Sequence, residues 1–196
     1  MSFISILANL NLCCVMSDGR VSNEMTGEIL QEDYPQFKSY NDGSVFVACT
    51  GNIECGELFL NSVSGLSNDF DDWIRHFELF IVDLKLQTHY QEDPSSFRIQ
   101  MAFGGINSNN EIELYTLSSF DAEIIKSIPL KNKIARTFLG STVDSSLINE
   151  LFVTESKRIP LKSHHDYIST QIKLNEYVAN KDNQVNKNTF SMVIKR

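Results

Sequence analysis

Of 196 residues only four are cysteine, four are proline and one is tryptophan, and positive charge is in the minority, with 17 Lys and Arg against 25 Asp and Glu. Each scarcity excludes something. Cys13 and Cys14 are adjacent, and Cys49 and Cys55 stand in an apolar context without ligand-type spacing. Neither a disulfide framework nor a metal-thiolate site is expected from that pattern, and the four thiols read as buried side chains in a reducing compartment. The net charge of −8 repels polyanions, which speaks against nucleic acid and anionic membranes as partners. No run approaches the ~18 apolar residues of a membrane span, and no basic segment precedes an apolar stretch at the start, so a cytoplasmic protein is expected. There is no repeat and no low-complexity tract. What is there is a 42% hydrophobic fraction, enough for the core of a single domain over residues 1–196.

Periodicity divides the chain into short elements. Ile4, Ile6, Ala8, Leu10 and Leu12 alternate with Ser5, Leu7, Asn9 and Asn11, the period of a strand with one strongly apolar face. Cys13 to Met16 continue as strand after a turn at Asn9 to Asn11. Gly27, Pro35 and Gly43 punctuate a polar stretch of loops and short strands. Val45 to Ala48 read as a strand that ends at Thr50-Gly51 and leads into a helix. Asp69, Asp71 and Asp72 enrich the start of a second helix, whose stripe is Trp73, Phe77, Phe80, Ile81 and Leu84.

A strand from Phe97 to Phe103 and another from Glu111 to Leu117 form a hairpin across an Asn-rich turn. Lys133 to Leu139 is a further strand, followed by helices around Leu147–Phe152 and Tyr167–Val178, and Phe190 to Ile194 closes the chain as a strand. Grouped helices between strand pairs predict an α+β fold, arranged as a four-layer αββα sandwich.

The chemistry begins at Ser2. If Met1 is removed, Ser2 carries a hydroxyl and a free α-amine on one residue, so a nucleophile and its general base coincide without a histidine. Ser17-Asp18-Gly19-Arg20 returns an acid and a base at hairpin spacing. Taken singly, each feature has a plain reading: serine commonly follows the initiator methionine, Asp18 with Arg20 can be a turn with a surface ion pair, and Lys38 a solvated lysine.

Together these residues resemble the N-terminal-nucleophile (Ntn) hydrolases of the proteasome β-subunit type, including the related bacterial ATP-dependent peptidases. With Ser2 as first mature residue, Asp18 and Arg20 match the family's aspartate-x-arginine signature. Lys38, shortly before the Val45–Gly51 strand, resembles the lysine beside the nucleophile. Met101-Ala102-Phe103-Gly104-Gly105 with Glu113-Leu114-Tyr115 resembles the apolar strand, glycine pair and returning strand. Gly140-Ser141 resembles the glycine-serine element that orders the N-terminus, and Asp182 the aspartate that bonds near it. The likeness spans almost the whole chain. It departs at Ser2, where threonine is commoner, at Gly19, where serine is usual, and at Val185, the place of a second C-terminal serine.

The resemblance implies a peptidase without metal or organic cofactor. Ser2 would be nucleophile and base, with Lys38, held by Asp18, lowering the proton affinity of hydroxyl and amine, and Ser141 and Asp182 ordering the site. Gly51 would donate its N–H to the oxyanion, and Val21 and Cys49 would line a pocket for a moderate apolar side chain. The implied substrate is a peptide or unfolded protein, and the implied partners are further copies in a ring or other closed homo-oligomer and an ATP-dependent unfoldase. Two alternatives stand beside it: a non-catalytic Ntn-fold protein serving as an assembly or binding module, and a small-molecule amide hydrolase on the same centre. His164 and His165 are adjacent, diverge on a helix and lack further ligands at metal spacing, and Asp69–Asp72 lacks the glycine and glutamate of a calcium loop.

Overall fold

The computed structural model describes residues 2–23, 26–87, 91–92, 98–119 and 124–196. Met1 and Phe97, the expected start of a strand, lie outside them. The first hairpin pairs β1 (Ile4–Ala8) with β2 (Leu12–Asp18), closed by a turn in which the Asn9 side chain accepts N–H bonds from Asn11 and Leu12. Asparagine suits that turn because its side chain mimics a backbone acceptor. Two short strands follow, β3 (Val21–Ser22) and β4 (Ile29–Gln31), which pair with each other. Next come β5 (Phe37–Tyr40) and β6 (Val45–Gly51), then α1 (Ile53–Ser62) and α2 (Phe70–Leu86).

The α2 helix begins where the acidic cluster predicts, with Asp69 as its N-cap, and buries Trp73, Phe77, Ile81 and Leu84 along one stripe. A second hairpin, β7 (Ile99–Ile106) with β8 (Ile112–Ser118), carries an edge strand β9 (Ile124–Ser127). No apolar alternation announces β9, whose Ile125 and Lys126 are exposed. The remaining elements are β10 (Ala135–Leu139), α3 (Ser145–Arg158), α4 (His164–Ala179) and β11 (Thr189–Lys195). A capping box between Ser163 and Asp166 starts α4.

The fold is therefore α+β, with antiparallel sheets ordered β10-β1-β2-β11 and β5-β6-β7-β8-β9 and four α-helices among the described residues. None of those helices is long and apolar enough to cross a membrane. Three apolar clusters hold it together. Val45, Val47 and Cys49 of β6 pack with Phe59, Trp73 and Phe77 of α1 and α2. Ile4, Ile6, Cys13 and Val15 of the first sheet meet Phe46, Ala48, Ala102 and Leu114 of the second. Phe3, Leu7 and Cys14 pack on Ile148 and Phe152 of α3 and on Tyr167, Leu174 and Val178 of α4.

The strand expected to have one apolar face thus has two buried ones: every residue of β1 is buried. Cys13 and Cys14 fall on opposite faces, one in each cluster. All four thiols are free and buried, and burial pushes Cys14 and Cys49 up to about 12 and Cys55 to about 11.

Candidate active site

Ser2 stands immediately before β1, and the antiparallel register delivers its neighbours. Ile4 opposite Ser17 brings the end of β2 alongside, so that Asp18 N donates to the Phe3 carbonyl (3.0 Å) and Phe3 N donates to Asp18 Oδ1 (2.8 Å). On the other side, Ile4 opposite Leu139 brings Gly140. Gly140 has φ +69°, and a Cβ there would run into the Ser2 carbonyl, so both conformation and space call for glycine. The end of β6 supplies Thr50, whose Oγ1 accepts from Ser2 N (3.2 Å) and donates to the Ser2 carbonyl (3.2 Å). The Ser2 hydroxyl donates to the Arg20 carbonyl at 3.0 Å, and the residue is only 6% exposed.

Asp18 is fully buried and holds three backbone donors: Phe3 on Oδ1, Arg20 N (3.1 Å) and Asn186 N (3.1 Å) on Oδ2. Burial pushes its carboxyl up from 3.8 to about 6, against the pull of those N–H groups and of the chain's amino terminus. Arg20 does not pair with Asp18 through its side chain. Its guanidinium binds Glu32 (2.7 Å) and the Asn183 carbonyl (2.6 Å). Asn186 is a hub: its Oδ1 accepts from Gly19 N (3.0 Å), its Nδ2 donates to the Glu32 carbonyl (3.0 Å), and its own carbonyl accepts from Asn175 Nδ2 (2.8 Å). No motif marks Asn186 in the sequence.

The expected Asp18–Lys38 pair is not formed. Lys38 Nζ lies 2.8 Å from Glu57 Oε2, on the α1 helix, and Tyr34 donates its phenol proton to the same carboxylate. Strand register and parity explain this. Lys38 is opposite Val47, three residues and about 10 Å along the strand from Thr50. Val47 and Cys49 face the helices whereas Phe46 and Ala48 face the other sheet, so Lys38 projects toward α1 and Thr50 toward Ser2. The polar side chain that reaches the serine's neighbourhood is Gln36. It is 8% exposed, its N–H donates to Ser17 Oγ (3.1 Å), and its Nε2 donates to the Arg20 carbonyl at a long 3.5 Å, the acceptor that Ser2 uses. The signal that could have found it is the polar run Glu32 to Gln36 immediately before β5.

Gly51 ends β6 with φ +106°, and a Cβ there would strike the Arg98 carbonyl. It lines a cleft with Cys49, Thr50, Gln36, Tyr34 and Glu57 that encloses about 20 Å³, room for little more than one water. Cys49 lines this cleft, whereas Val21 is not among the lining residues and sits on β3, paired with β4. Ser141 adopts φ +69°, and its hydroxyl accepts from Val143 N (3.0 Å). Asp182 binds the next residue, accepting from Thr142 N (2.7 Å) and Thr142 Oγ1 (3.0 Å), and also from Gln184 N (2.9 Å). Burial raises its carboxyl, but these bonds outweigh burial and hold it below the ordinary carboxylate range. The loop therefore touches the N-terminal segment through the Gly140 backbone, with Asp182 bracing it from behind. The rings of His164 and His165, expected to diverge, lie with centroids 4.0 Å apart at the start of α4.

No protein-family model matches the sequence, and no curated protein matches it. Solved structures do match. The chain is similar to Anbu from Pseudomonas aeruginosa, solved as a helical assembly, with a TM-score of 0.77 at 13% identity over 99% of this chain and 81% of that one. It is similar to Anbu, an ancestral β-subunit, from Yersinia bercovieri, with a TM-score of 0.73 at 8% identity over 100% and 82%. Eukaryotic HslV from Trypanosoma brucei gives 0.66 at 10% identity over 99% of both chains. The shared property is the fold, which is that of the proteasome β-subunit type, in agreement with the resemblance read from the motifs.

Proposed function

We propose that this chain, with its proteasome-β-type fold, is a non-catalytic assembly or binding module. The observation that carries the reading is the occupancy of the serine's surroundings. The Ser2 hydroxyl proton is given to the Arg20 carbonyl, the other side chain on that carbonyl is a neutral Gln36 amide, and Lys38 is held by Glu57. With Lys38 on Glu57, an alkoxide forming at Ser2 would meet no lysine ammonium among the described residues, and catalysis of acyl transfer gains from such charge stabilisation. In this reading residues 1–196 form one domain, the three apolar clusters are the contacts of a four-layer αββα sandwich, and copies associate into a cytoplasmic homo-oligomer. The helical assembly of the Pseudomonas aeruginosa Anbu supports self-association.

The test is a panel of fluorogenic peptides assayed with protein whose N-terminus has been defined by intact mass. No turnover that Ser2→Ala removes is expected, with a solution mass several times the 22.3 kDa of one chain. Turnover that depends on Ser2 would overturn the reading.

One observation favours a peptidase instead: Ser2 is bonded to Thr50, which lines the Gly51 cleft. Loss of Met1 would then free the α-amine to take the Ser2 hydroxyl proton as the oxygen attacks a peptide carbonyl and to pass it to the leaving amine as the C–N bond breaks, water then hydrolysing the Ser2 ester. Gly51 N–H would face the oxyanion, and Cys49 would contact a moderate apolar side chain. Lys38 would have to leave Glu57 to assist. Peptides or unfolded proteins delivered by an ATP-dependent unfoldase would be the substrates, or small amides on the same centre, and the same assay decides.

A further inference from the structure

At the other end of β1, about 20 Å from Ser2 by strand length, lies a groove of about 510 Å³. It is built by the β1–β2 turn, the turn before β10, the end of α3 and the start of α4. Leu10, Leu130, Ile134 and Leu161 give it apolar walls, and the Tyr167 ring, 1% exposed, closes it. Its rim carries Lys131 and Lys133, and no lining residue is acidic. In a chain of charge −8 that local sign is the opposite of the whole. Among the described residues neither lysine has a carboxylate partner.

The groove is braced before anything enters it. Asn9 Nδ2 donates to the Tyr167 hydroxyl (2.9 Å), which ties the hairpin turn to α4, while Asn9 Oδ1 accepts from Asn11 and Leu12. Lys133 N donates to the Leu130 carbonyl (2.9 Å) across a turn in which Asn132 takes φ +64°, so both lysines leave one fixed turn. The side-chain amides of Asn11 and Asn132 have no hydrogen-bond partner among the described residues and stand as further donors at the rim.

We propose that this groove binds a small amphipathic carboxylate, an aliphatic monoacid whose head meets Lys131 and Lys133 and whose chain lies against Leu10, Leu130 and Leu161. Its volume is that of a small-ligand site, with apolar walls and few charged groups to fix orientation. The long-range field of a −8 chain penalises polyanions, so a single negative charge on an apolar body is the ligand that gains from both parts.

The test is isothermal titration calorimetry of the intact chain with octanoate, decanoate, decylamine and inorganic phosphate below micellar concentrations. Decanoate is expected to bind saturably at one per chain, each added methylene tightening binding about fourfold, while decylamine and phosphate do not bind. The double variant Lys131→Gln, Lys133→Gln is expected to weaken decanoate about tenfold or more, and Leu130→Ser to flatten the chain-length dependence. All these positions are exposed, and an unchanged unfolding temperature checks that the variants fold. Ser2→Ala is expected to bind decanoate as the unsubstituted protein does, so the outcome is separate from the fate of the serine centre. No saturable decanoate binding, equal binding of decylamine, or an undiminished double variant would each overturn the proposal.

Discussion

The two clefts at opposite ends of β1 are built on different principles. Around Ser2 the donors and acceptors are spent on one another: the hydroxyl on Arg20, the amide N–H on Thr50, the Asp18 carboxylate on three backbone groups, and Lys38 on Glu57. The cleft beside Thr50 and Gly51, which Ser2 itself does not line, encloses about 20 Å³. At the far end about 510 Å³ is open, and two lysines stand without a counter-charge among the described residues. The motifs of the chain all point to the first cleft, yet room and unspent charge are at the second. A saturated network secures a terminus, whereas a ligand needs groups that folding has left over.

That contrast can be broken first at its tightest point. Gly140→Ala sets a Cβ against the Ser2 carbonyl at a left-handed φ, and urea unfolding should show a loss of about 3 kcal/mol. Decanoate binding by the folded fraction should be unaffected.

Asp18 tests the network through pH. Its folded value of about 6 lies above its ordinary 3.8, so between these values the folded state holds more protons than the unfolded one. The stability this group contributes is present below pH 4 and lost as pH rises through 6, by up to about 3 kcal/mol. The difference in unfolding free energy between the unsubstituted protein and Asp18→Asn, followed from pH 4 to 7, should fall in that direction. A flat difference would show that the three N–H bonds cancel the effect of burial.

Thr50→Val keeps the shape of the side chain but leaves Ser2 N and the Ser2 carbonyl without their partner, which should cost about 2 kcal/mol in the same unfolding assay. The smallest effect is expected at Lys38→Met. The Lys38–Glu57 pair has side chains 40% and 35% exposed, and solvent screening holds such a pair to less than about 1 kcal/mol. A larger loss, or a change in any Ser2-dependent turnover, would return Lys38 to the serine centre.

Legibility followed the range of the interactions involved. The Asn9–Asn11 turn, the acidic start of α2 and its Trp73–Leu84 stripe, and the glycine after β6 are local signals, and each is readable within a dozen residues. The edge strand β9 was invisible because its exposed Ile125 and Lys126 show no alternation. At the site, only Ser2 and Asp18 come together through hairpin spacing that counting residues recovers. Gly140 arrives by pairing of β1 with the distant β10, and Gly51 beside Thr50 arrives from the other sheet. Lys38 turns to Glu57 because its place in β5, opposite Val47, puts it on the helix-facing side, whereas Gln36 stands before the strand and escapes that parity, a distinction that no local pattern carries. The roles of Asn186, distant in sequence from Asp18 by 168 positions, and of Thr50, 48 from Ser2, have no local signature at all.

Composition, periodicity and turn chemistry were sufficient for the α+β class, the hairpins and the helices, since these depend on neighbours along the chain and on which face must leave water. Which amide, carbonyl or cation stands beside Ser2, and that two lysines at the far end of β1 find no carboxylate among the described residues, depend on how distant elements pair and pack and on how side chains divide between the two faces of a sheet. Those choices are settled by packing between elements, where a displacement of one strand residue, about 3.3 Å, is as large as a hydrogen bond is long and so exchanges one partner for another.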